Sequence, residues 1–225
     1  MNSHSSSDNI EKGTIEYNPR AEQVQEPVFV KRPSTIANPG PAGVFAFASS
    51  TLLLSLYNAG ASEVHTPNVI IGMAVFTGGL VQLLAGMWEF PRGNVFGATA
   101  FSLYGSFWMS YATILIPGSG ILTAYTNKEE LAHALGLYLT VWLIVTVMFI
   151  LPVMKRHVAF TVLLSILCVT FILLAVAEFT GNHNITKAGG ITGIVTGAVA
   201  FYIGVGEFLA AEADPIFRLP MGMRR

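Results

Sequence analysis

Within the apolar runs of this 225-residue chain, the side chains able to engage a solute are amides, hydroxyls and rings rather than charges. Ser50, Thr51 and Asn58 share one face of the first run with Phe47 and Leu54. Gln82 stands three residues after Gly79 and four before Gly86, which places it on the face marked by Gly72, Gly79 and Gly86. An uncharged amide in hydrocarbon needs a partner, so Gln82 is either an interhelical clasp or a pathway group. Asn38-Pro39-Gly40-Pro41-Ala42-Gly43 leads into the first run. Its alternate prolines forbid regular helix before Pro41 and suit an extended lead-in with a first-turn start. Free N–H groups and the positive dipole end there favour an anion such as a carboxylate; a plain helix start at a membrane boundary is the other reading.

The third run has two faces of equal regularity. Thr99, Ser102, Ser106, Ser110 and Thr113 make a hydroxyl stripe, and Phe101, Tyr104, Trp108, Tyr111 and Leu115 cover the opposite side. Either face is able to line a passage, although hydroxyls in membrane helices often bond back to their own backbone. Leu167, Phe171, Leu174 and Glu178 align in the fifth run, and packing accounts for the three apolar members but not for Glu178. Gly189, Gly193 and Gly197 follow the small-xxx-small rule, which lets helices approach closely. Glu89 and Glu207 fall near the ends of their runs, and no Lys or Arg lies inside any of them, which argues against a pump built on central carboxylates or a voltage sensor.

Other chemistries lack their residues. Ser, His and Asp occur without catalytic spacing, no HExxH occurs, and His65, His133, His157 and His183 lie in loops or at run ends. The chain is therefore expected not to be an enzyme and to need neither metal nor cofactor. Cys168 has no partner for a disulfide, and a net charge of -1 gives no basic field for nucleic acid.

The elements that must position these groups follow from composition. Hydrophobic residues make up 52%, charged residues 11%, and mean hydropathy is +0.58, so a water-facing globular surface is hard to build. Apolar segments over 42–61, 69–88, 95–116, 134–154, 158–177 and 188–210 are each near the ~20 residues that cross a bilayer as helix. The expectation is an all-α membrane protein of six transmembrane helices. Residues 1–37 hold nine of the 25 charged residues with Ser3, Ser5, Ser6 and Ser7 and three prolines, and read as a disordered cytoplasmic tail; 38–212 form the membrane domain and 213–225 a short cytoplasmic tail. No early apolar stretch marks a secretory signal, so the first span is expected to act as its own insertion signal. With the N-terminus inside, ten Lys and Arg fall on the inner side and only Lys128 and Lys187 outside, which puts both termini in the cytoplasm. Asn184-Ile185-Thr186 is a glycosylation sequon in an expected outer loop.

Asn38-Pro39-Gly40-Pro41-Ala42-Gly43-Val44 resembles the signature of the acetate uptake transporter family, whose members are bacterial and fungal. Further likenesses are Gly78-Gly79-Leu80-Val81-Gln82, Gly86-Met87-Trp88-Glu89, Gly93-Asn94-Val95-Phe96-Gly97, Ser102 to Trp108 and Gly204-Val205-Gly206-Glu207, in family order. The long polar tail is similar to that of fungal members. The resemblance implies a six-helix protomer in the plasma membrane lipid, assembly into a homohexamer with a pathway in each protomer, and passage of acetate and related small monocarboxylates, proton-coupled or channel-like. It also implies a hydrophobic constriction at Phe47, Tyr104 and Leu167. Asn38, Ser50, Thr51, Asn58, Gln82 and Tyr104 are then expected to hold the substrate, with Glu89 and Glu207 as proton-linked groups. A membrane sensor of acetate or ammonium status and an ammonium exporter are the alternatives; loss of residues 1–35 would spare transport but not sensing.

Overall fold

The computed structural model describes residues 36–64, 66–155 and 157–222. The tail expected over residues 1–37 lies almost wholly outside them, as do His65, Arg156, Arg224 and Arg225.

Six long helices carry the described chain, and among the described residues there is no strand. They are α1 (Gly40–Asn58), α2 (Ile70–Arg92), α3 (Val95–Leu115), α4 (Lys128–Val153), α5 (Val158–Thr180) and α6 (His183–Ala211). All but α3 are long and apolar enough to cross a membrane. With 21 residues α3 has the length, about 31 Å at 1.5 Å per residue, but its serines, threonines and tyrosines lower its apolarity.

Local chemistry sets the ends, and it moves several of them from where apolarity alone put them. Asn38 Oδ1 accepts the Gly40 N–H at 3.0 Å, so α1 starts two residues before Ala42. Asn127 Oδ1 accepts from the Glu129 N–H at 2.9 Å, and Glu129 and Glu130 face the positive end of the dipole, which starts α4 six residues before Ala134. Asn182 does the same for α6 through the Asn184 N–H, and Asn94 caps α3 through the Gly97 N–H. The sequon residue Asn184 is thus exposed in the first turn of α6 rather than in a loop. Pro91 does not end α2; the chain turns two residues later at Gly93, whose φ of 73° is left-handed. Residues Phe76–Val81 of α2 form a π turn.

Small residues govern the packing. α1 is the most enclosed of the spans and lies chiefly against α6, where Gly193 abuts Ser55 and Gly197 abuts Leu52. Gly189 instead faces Leu174 of α5. Gly79 and Gly86 lie against α3, whereas Gly72, expected on the same packing face, is exposed with nothing within 4 Å of a Cβ. Neighbours α4, α5 and α6 pack in sequence. The backbones of α3 and α4 scarcely meet; rings span the gap between them.

Candidate functional site

Two cavities lie on either side of a pair of rings. The larger, of about 130 Å³, is lined from the end of α1 at Asn58 down to Phe47, with walls from α3, α4 and α5. The smaller, of about 30 Å³, lies toward the start of α1 and is lined by Val44, Gln82, Phe96 and Phe160 among others. Phe47 and Tyr104 line both, and their ring centroids are 5.5 Å apart. At ~10–15 Å³ per water, the larger cavity holds several waters and the smaller about two. Leu167 is buried on the larger side only.

The ring of Tyr104 is fixed from α4. Its hydroxyl lies 2.9 Å from Thr146 Oγ1, and Thr146 gives its own proton to the Trp142 carbonyl at 2.7 Å, so Tyr104 is the donor. Phe149 meets the Tyr104 ring edge-on at 5.6 Å, and Trp142 stacks at 6.3 Å. The aromatic face of α3 therefore points to the cavities. Its hydroxyl stripe points away: Thr99, Ser106, Ser110 and Thr113 bond to backbone carbonyls of α3 itself.

The expected polar donors divide among four places. Thr51 and Asn58 line the larger cavity and Gln82 the smaller. Thr51 Oγ1 and both polar atoms of Gln82 are buried without a protein partner, at ~1–3 kcal/mol for each such group. Ser50, likewise unpartnered, lines neither cavity; it lies against Gly78 of the π turn. Asn38 belongs to a polar cluster beyond the smaller cavity. Its Oδ1 accepts from Arg92 Nη1 at 2.6 Å, and the same nitrogen reaches Glu89 Oε2 at 2.9 Å. Glu89 is 1% exposed. Glu207 closes the cluster from α6: a Cβ on Gly40 would lie 2.5 Å from its Oε2 and 3.0 Å from Asn38 Oδ1.

The structure thus groups Phe47, Tyr104, Leu167, Thr51 and Asn58 around one space and sets Asn38, Glu89 and Glu207 at one end of the bundle. Arg92 and Thr146 were not singled out in the sequence. A signal existed for Thr146, since a buried tyrosine hydroxyl needs a partner and Thr146 is the one hydroxyl between Val141 and Val153. For Arg92 the signal was Glu89, three residues before it on the same helix; the bond to Asn38, 54 residues away, gave none.

A bundle of apolar helices with two cavities that share a ring pair in their linings defines a helical membrane protein. The chain belongs to the GPR1/FUN34/yaaH family, whose model matches residues 21–223. It is 46% identical over 167 residues to the ammonia transport outward protein 2 of Saccharomyces cerevisiae, covering 74% of this chain and 59% of that one. It is 40% identical over 196 residues to acetate permease A of Emericella nidulans, covering 82% and 65%. With the succinate-acetate/proton symporter SatP of Escherichia coli K12 it shares 37% over 174 residues, 77% of this chain and 89% of that one. The chain spans about three fifths of the length of the fungal relatives it matches. The solved structure of the bacterial acetate channel SatP superposes with a TM-score of 0.73 at 34% identity, over 83% of this chain and 99% of that one.

Proposed function

We propose that this protein passes acetate and related small monocarboxylates across the plasma membrane, along a path from the larger cavity, between Phe47 and Tyr104, to the smaller one. The observation that carries this reading is that one ring pair lines both cavities. Relatives named as an acetate permease, a succinate-acetate/proton symporter and an acetate channel support the substrate class. The protein is not an enzyme in this reading. It has six spans with both termini cytoplasmic, so the larger cavity faces outward, and it works as a homohexamer with one path per copy.

A small carboxylate enters the outer cavity, sheds part of its water to Thr51 and Asn58, crosses the neck, and meets Gln82 on the inner side. The Asn38, Glu89, Arg92 and Glu207 cluster stands at the inner mouth, where Arg92 offers the positive charge that the spans lack. A free carboxyl has a pKa of ~4, so acid media raise the neutral fraction, and a dry apolar neck passes that form more readily than the ion.

Radiolabelled acetate uptake into proteoliposomes tests this. Phe47→Ala and Tyr104→Ala widen the neck, and each is expected to change the uptake rate by about tenfold, equivalent to ~1.4 kcal/mol in the barrier, with less preference for the acid form. Rates indistinguishable from the unmodified protein would falsify the assignment. Ammonia export, carried by the name of the yeast relative, is the second reading, and an outward ammonium gradient in the same vesicles separates the two.

A further inference from the structure

One acidic group lines the larger cavity and has no task in the path just described. Glu178, in the last turn of α5, lies at the wide end with Asn58 of α1, Tyr111 of α3 and Thr186 of α6, and is half-buried. No ion pair or hydrogen bond among the described residues holds its carboxylate. Among the described residues lining this cavity, it is the one Asp, Glu, Lys or Arg.

The helices around it bring no countercharge to its carboxylate. α1 contributes the neutral Asn58, α3 contributes Tyr111, and α4 contributes Tyr138; both phenols are neutral near pH 7, with ordinary values of ~10. His133 of α4 is exposed and turned to the ring of Phe179, at 5.9 Å. Lys187 of α6 is exposed and extends toward Gly60 beyond the end of α1. A carboxylate in this cavity therefore meets a second carboxylate and no cation on the lining. Two carboxylates sharing a poorly hydrated site do not both stay ionised; the pair retains a proton.

We propose that Glu178 is a proton-sharing site at the mouth of the larger cavity, where a substrate carboxylate is held as part of a pair of carboxyl groups with one proton between them. This rests on the transport reading and adds to it a specific group that ties the substrate to a proton. Either the acid form of Glu178 meets RCOO⁻ or its ionised form meets RCOOH, and in both cases the pair carries one proton and one negative charge. When the substrate leaves toward Phe47 and Tyr104 as RCOOH, the proton goes with it. Glu178 then stays ionised until the solution on that side returns a proton.

The test reads the proton itself. Fluoroacetate, more acidic than acetate, is almost wholly ionised near about pH 7.5, so a proton held with it must come from solution. Its salt is added to the purified protein in weak buffer at that pH, with anion binding followed by radiolabel and proton uptake by a pH indicator. The unmodified protein is expected to take up protons as the anion binds, up to about one per anion. Glu178→Gln is expected to reduce the protons taken up per bound anion at least about fivefold, and Glu178→Asp to keep them. A Glu178→Gln protein that takes up as many protons per anion as the unmodified one overturns the proposal, and anion binding to the unmodified protein without proton uptake overturns it equally. Failure of the unmodified protein to carry any carboxylate refutes the transport reading itself, which is a different result from either of these.

Discussion

Tyr104 lines both cavities, yet its position is set by Thr146, a fully buried residue on the neighbouring helix. The Thr146 proton is committed to the Trp142 carbonyl, which leaves its oxygen as acceptor for the tyrosine hydroxyl. Thr146→Val preserves shape and removes that acceptor. The stranded hydroxyl should lower stability by ~1–3 kcal/mol, seen as an earlier midpoint in denaturant or thermal unfolding of purified protein. Thr146→Ser should restore most of it. Tyr104→Phe combined with Thr146→Val should cost less than the sum of the two single changes, because the second change removes the group the first leaves unpaired.

At the scale of elements, α2 fits tightly against α3 where Gly105 faces the far side of the π turn. A Cβ there would stand 2.7 Å from the Leu83 nitrogen and 2.9 Å from the Gly79 oxygen, both of them backbone atoms that cannot swing aside. Gly105→Leu should therefore lower stability by at least ~1–3 kcal/mol and reduce the folded fraction in size-exclusion chromatography. The exposed Gly72 serves as the control: Gly72→Ala should be neutral or stabilise by ~0.5–1 kcal/mol. The bodies of the helices were legible in the sequence because an apolar run near 20 residues long has few other structures open to it. Their ends were not, since Asn127 and Asn182 act from polar stretches to which apolarity is blind. The inward face of α3 was not legible either. Rings and hydroxyls repeat there with the same period, and the choice was made by neighbours: Thr146, Trp142 and Phe149 take up the ring side, while Thr99, Ser106, Ser110 and Thr113 bond to their own helix. Phe47, Tyr104 and Thr51 could be named from sequence, but not the segregation of Asn38, Glu89 and Glu207 into a cluster around Arg92, which depends on chain segments far apart.

Across the whole molecule, distant parts of the chain meet at the start of α5. His157 Nδ1 accepts from the Phe160 N–H at 3.4 Å, and the N–H groups of Val158 and Ala159 donate to the carbonyls of Gly222 and Met221. Met221 is buried against Gly206 of α6, and the Tyr202 hydroxyl donates to the Pro220 carbonyl. Phe160, in this first turn, also lines the smaller cavity. Burial pushes the His157 imidazole below its ordinary range, and protonation would remove the acceptor. The folded state therefore binds this proton less readily than the unfolded chain. Its contribution to stability is complete above the unfolded value of ~6.5 and is lost as pH falls through the lower folded value. Unfolding midpoints should drop from pH 7.5 to pH 5, and the part of that drop due to this residue should vanish in His157→Asn, a cap that does not titrate. The ring pair at the centre has an optical consequence as well. Of the three indoles, Trp108 and Trp142 adjoin Tyr104 or the larger cavity, and Trp88 is 54% exposed. Replacing Trp88 with Phe would leave indole fluorescence, excited beyond the tyrosine band, arising solely from the two chromophores beside the ring pair, giving the protein an intrinsic lamp whose colour reports when solute displaces water there.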